Sequence, residues 1–130
     1  VKVDDAVLLA KETGVDSLAI GIGTAHGFYK GKPEITVRRL EEVNEALDIP
    51  LVLHGGTGIP EEDVRRAIRG GINKVNVGTQ IRCTYMSSAQ NVIEARGYTT
   101  HTVEIMHEVK EAIKREVRAW IKICMADGKA

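Results

Sequence analysis

Ile49-Pro50-Leu51-Val52-Leu53-His54-Gly55-Gly56-Thr57-Gly58-Ile59-Pro60 decides how this chain is read. The apolar run into Leu53 reads as a buried strand, and an evident helix follows Pro60. Proline suits a first helical turn, and Glu61, Glu62 and Asp63 set carboxylates where the helix dipole favours them. One strand-to-helix turn therefore concentrates a histidine, three glycines and a hydroxyl. Glycine lets the backbone approach an anion closely, and the next helix offers free N–H groups. Imidazole is a common ligand of divalent metals. The turn thus supplies the parts of a metal site and of a phosphate cradle. A purely structural reading also exists, because glycine-rich turns are common and a lone histidine often only satisfies a hydrogen bond.

The pattern recurs on either side. Ser17-Leu18-Ala19-Ile20-Gly21-Ile22 reads as a strand running into Gly23-Thr24-Ala25-His26-Gly27. Lys74-Val75-Asn76-Val77 reads as a third, running into Gly78-Thr79 and a helix. Ligands of α/β sheets and barrels bind at the C-terminal ends of the strands. His26 and His54, at equivalent places on neighbouring strands, are expected to converge on a shared metal site.

Between these strands the spacing predicts helices. Asp4–Glu12 carries Val7 and Leu8 on its apolar face, with Gly14 as a C′ residue. Thr36–Leu47 places Val37, Leu40, Val43, Ala46 and Leu47 at helical intervals. The helix after Pro60 buries Val64, Ala67 and Ile68 and stops at Gly70-Gly71. Two further helices, Ile81–Ala95 and Val103–Ala126, close the chain. The second has a packing stripe of Met106, Val109, Ile113, Val117, Trp120 and Cys124. His101 and His107 lie on different faces of a helix and read as solvated. Alternating strands and helices imply parallel pairing with right-handed crossovers. Three such units are less than half of a (β/α)8 barrel, which takes about 250 residues. The strand at Ser17 would then be left with an open edge.

At 130 residues, 43% hydrophobic and 28% charged, the chain is expected to form a single partial domain spanning residues 1–130. Its zero formal charge and lack of a basic run argue against nucleic acid and anionic membranes as partners. No apolar run is long enough to span a bilayer, and no signal peptide is evident. Cys83 and Cys124 form no CxxC pair, which fits free thiols and a cytoplasmic location. The chain opens at Val1 without methionine, from which a fragment or a processed product is expected.

Gly23-Thr24-Ala25-His26-Gly27, Leu53-His54-Gly55-Gly56-Thr57-Gly58 and Asn76-Val77-Gly78-Thr79 together resemble the class II, metal-dependent ketose-bisphosphate aldolases of the fructose- or tagatose-bisphosphate type. The resemblance covers essentially the whole chain. It implies an α/β fold, the C-terminal part of a (β/α)8 TIM barrel, with its last three βα units plus C-terminal helices. The implied activity is zinc-dependent, reversible aldol cleavage of a ketose 1,6-bisphosphate to dihydroxyacetone phosphate and glyceraldehyde 3-phosphate. By resemblance, His26 and His54 ligate the Zn2+. Gly27, Gly55, Gly56, Thr57, Asn76, Val77, Gly78 and Thr79 contact the substrate, with Lys30 a weaker phosphate candidate.

A catalytic zinc normally takes three protein ligands. The family's third histidine and its acid/base aspartate form an Asp-His pair on an earlier strand, and this chain contains no such dipeptide. The catalytic aspartate is therefore expected outside the chain, and the family's mobile glutamate before Val1 or near it. The chain alone is expected to be inactive, and to self-associate or pair with the N-terminal half of a barrel. A non-catalytic sugar-phosphate-binding or assembly module is the alternative reading.

Overall fold

The computed structural model describes residues 1–24 and 33–129. They form two compact units, Val1–Val77 and Gly78–Ala130.

The first unit is α/β. Its elements are α1 (Val3–Thr13), β1 (Leu18–Ile20), α2 (Val37–Ala46), β2 (Leu51–Leu53), α3 (Glu61–Arg69) and β3 (Ile72–Val75). The strands form a parallel sheet in the order β1-β2-β3, as expected for consecutive βα units of a barrel. β2 lies between two partners, and Leu51, Val52 and Leu53 are all buried. Both faces of such a strand are covered, which explains its unbroken apolar sequence. Leu40 and Val43 from α2, and Val64 and Ala67 from α3, join them in the core. Gly14 caps α1 in the left-handed region at φ 63°, returning its N–H to Ala10 O, as the sequence anticipates.

Several boundaries and faces differ from the sequence reading. β1 is shorter than Ser17–Ile22, and β3 begins two residues earlier than Lys74. The cause of the second shift is a bulge. Leu51 pairs with Ile72 but Val52 pairs with Lys74, so Asn73 is an extra residue. The Asn73 carboxamide oxygen accepts the Leu51 N–H at 2.9 Å, replacing a ladder bond. In α1 the buried residue is Ala6, whereas Leu8 is 59% exposed. On α3, Ile68 is only half-buried.

The second unit is a helix pair, α4 (Thr79–Arg96) and α5 (Thr102–Ile123). α4 begins two residues before the expected Ile81. α5 ends at Ile123, short of the expected Ala126, because Met125 adopts φ 55°. Met125 N–H then reaches Lys122 O, and Ala126 N–H reaches Ile121 O, the double closure of a Schellman motif. In the α5 stripe only Val109 is buried, and Met106 and Val117 are exposed. His101 caps this helix, its Nδ1 accepting the Val103 N–H at 3.3 Å.

Candidate functional site

The C-terminal ends of β2 and β3 meet around His54. Parallel pairing continues past the regular ladder: Asn76 N–H donates to Leu53 O, and Gly56 N–H to Asn76 O, each at 3.0 Å. This carries Asn76 alongside the His54 turn. Its carboxamide nitrogen lies 3.0 Å from His54 Nδ1. From the other neighbour, the Thr24 hydroxyl donates to His54 O at 2.8 Å. His54 is thus engaged through its main chain from the β1 side and through its ring from the β3 side.

The glycine turn is sharply curved. Gly55 and Gly58 take φ 79° and 83°, which glycine alone adopts at little cost. Gly55 is half-buried, while Gly56 and Thr57 are buried, Thr57 to 2% exposure. Because the Gly56 amide is committed to Asn76 O, that glycine joins the strand ends rather than offering an open N–H. The first turn of α3 carries Glu61, Glu62 and Asp63, paired with Arg65, Arg69 and Arg66 respectively. The helix therefore neutralises its own acids on its surface.

Among the expected site residues, the structure brings His54 and Asn76 together and sets Gly55, Gly56 and Thr57 in the same turn. Val77 follows Asn76 at the end of the first unit, and Gly78 and Thr79 open the second. Gly78 caps α4, whose first turn carries no acid. His26, Gly27 and Lys30 lie outside the described residues. Among the described residues, no three His, Cys, Asp or Glu side chains cluster to hold a metal. His101 and His107 are both exposed, on the second unit. A cavity of about 290 Å³ in the first unit, lined by Asp63 and Arg66 among others, includes none of the expected site residues. Sequence reasoning missed the Thr24 bond to the His54 carbonyl. Its one signal was a hydroxyl placed two residues before His26.

The family model of class-II fructose-bisphosphate aldolases matches residues 1–129, and the chain belongs to that family. A curated relative, the sulfofructosephosphate aldolase of Alkalicoccus urumqiensis, is 36% identical over 127 residues, covering 98% of this chain and 44% of that protein. The crystal structure of the YdjI aldolase from Escherichia coli K12 superposes with a TM-score of 0.85 at 31% identity, over 100% of this chain and 46% of that one. The fructose-bisphosphate aldolase structure from Campylobacter jejuni, at 18% identity and a TM-score of 0.78, shares the fold over 97% of this chain and 45% of that one. The chain therefore spans less than half the length of the relatives it matches. Among the described residues, no helix is long and apolar enough to cross a membrane.

Proposed function

We propose that this chain supplies part of the metal and phosphate site of a zinc-dependent aldolase that reversibly cleaves a ketose 1,6-bisphosphate. The observation that carries the reading is the His54 ring held beside Asn76 at the C-terminal ends of parallel strands. A metal-ligating imidazole is oriented by donating its other ring N–H to a hydrogen-bond partner, and Asn76, with its carboxamide turned so that the oxygen accepts from Nδ1–H, would fill that place beside His54. When bound, a divalent ion supplies Lewis-acid stabilisation of the negative charge that develops as the carbon–carbon bond breaks.

The chain's own residues would supply binding and orientation. His54, with His26 by resemblance, would hold the ion. Asn76 steadies the ring and is placed to meet substrate hydroxyls. Gly55 and Thr57, with Val77, Gly78, Thr79 and Gly27 by resemblance, would bind the dihydroxyacetone phosphate moiety. The buried Gly56 allows the β2 and β3 ends to close behind it. Holding the remote phosphate fixes the reacting carbons, which lowers the entropic part of the barrier. Residues 1–130 would belong to a single partial barrel domain, with the outer edge of β1 covered by another copy or by the N-terminal half of the barrel.

Titration of the isotope-labelled chain with zinc and then dihydroxyacetone phosphate tests this reading. Shifts at His54 with zinc, and at Gly55, Thr57 and Asn76 with the phosphate, are expected. Shifts confined to other residues would overturn it. In a coupled assay with fructose bisphosphate, tagatose bisphosphate and sulfofructose phosphate, the chain alone is expected to give no measurable turnover, since it lacks the family's Asp-His pair. Full turnover would show that the acid/base group has been misassigned.

A further inference from the structure

We propose that Thr24 is a positioning residue for His54, its hydroxyl fixing the backbone from which that imidazole is presented. The inference rests on the reading that His54 holds a divalent ion. The regular β1–β2 ladder ends at the pair Ile20↔Leu53, one residue short of His54. Beyond it, the Thr24 hydroxyl takes over the tie between the two strand ends, donating to His54 O at 2.8 Å.

Thr24 is itself held in place. Ile22 O accepts the Thr36 N–H at 2.9 Å, anchoring the segment to the start of α2. Gly23 takes φ +101°, and a Cβ there would stand 2.1 Å from Glu34 O. Only glycine allows so close a passage, so the next residue is delivered to one place. The opposite side of His54 is set by Asn76, through its main chain to Leu53 O and through its carboxamide to Nδ1. Thr24 and Asn76 thus act on different atoms of the same residue from the two flanking strands.

Metal ligation tolerates deviations of only about 0.2 Å in bond length, so small displacements of a ligand's backbone matter. Removal of an outer hydrogen-bond partner of a metal ligand typically costs about 10–100-fold in metal affinity. Thr24 contacts the carbonyl rather than the ring, and the lower end, about 10-fold, is expected. Valine keeps the shape of threonine and loses the hydroxyl, whereas serine keeps the hydroxyl.

The experiment measures Zn2+ affinity by competition with a chromogenic chelator for the 130-residue chain and its T24V, T24S and H54A variants. Thermal unfolding and the His54 ring resonances of the metal-free proteins are recorded alongside. T24V is expected to weaken zinc about 10-fold and shift the ring resonances at an unchanged midpoint of unfolding, with T24S close to the parent. Parent-like affinity in T24V while H54A loses zinc would overturn the inference and leave the metal reading standing. Undiminished zinc binding in H54A would overturn both. Equal losses in T24V and T24S would assign Thr24 to packing and overturn the inference, as would unmoved ring resonances in T24V. Should T24V fail to fold, T24A makes the same comparison against T24S.

Discussion

The two units of this chain bury very different things. In Val1–Val77, the central strand and the facing residues of α2 and α3 are covered almost completely, with Leu40, Val43, Leu51, Leu53, Val64 and Ala67 at 0% exposure. In Gly78–Ala130, only Val92 and Val109 among the described apolar residues are buried, while Met86, Tyr98 and Val103 stand 63%, 95% and 68% exposed. Both units have apolar residues at regular intervals. A strand between two others, with helices over the sheet, loses solvent from both faces. A helix in a pair loses it along one stripe. An amphipathic pattern states which face is able to be buried; it does not state that anything buries it.

Substitutions measure that contrast. Leu51→Ala removes a fully buried side chain from β2 and is expected to cost about 2–5 kcal/mol in urea unfolding. A loss under about 1 kcal/mol would mean that the first unit's core is looser than its burial implies. Met125→Gly is expected to add about 0.5–1 kcal/mol, since a left-handed φ strains any residue bearing a Cβ. No gain would show that the closing turn of α5 relaxes in solution. Tyr98→Ser, on an exposed ring, is expected to stay within about 0.5 kcal/mol of the parent. A larger loss would give the second unit a packing role for that ring.

The smallest effect is chemical. Burial pushes the Cys124 thiol above its ordinary range, so less thiolate is present in the folded chain than in the unfolded one at mildly alkaline pH. Its alkylation in buffer should be slower than in urea, with a midpoint at higher pH. The linked stability is complete below the unfolded thiol pKa and is lost as pH rises through the raised folded value. Equal alkylation rates in both states would place Cys124 in solvent.

The order of strands and helices was legible because apolar runs, first-turn acids and glycine stops all agreed along the first unit. Buried Leu40, Val43, Val64 and Ala67 fell on the expected faces. The shift of β3 was not legible, because asparagine is disfavoured in strands and the register skip and side-chain bond that hold Asn73 in the sheet are made with another strand. The end of α5 was missed because a methionine takes the conformation usually left to glycine. At the site, His54 stood out by its residue type at a strand end, and Asn76 through the family resemblance. Their contact, and the Thr24 tie, depend on pairing between segments that residue spacing does not encode.

The extra residue in β3 has a consequence for heredity. With Leu53 opposite Val75, the next pair in register is His54 and Asn76. Were Asn73 to pair within the ladder instead of bulging from it, the count begun at Leu51↔Ile72 would bring Val75 to face the imidazole, a neighbour whose side chain has no hydrogen bond to give. Loss of the bulge with Asn73 retained, touching no residue of the site, would exchange the histidine's companion. Selection that guards this pair must therefore also guard the bulge.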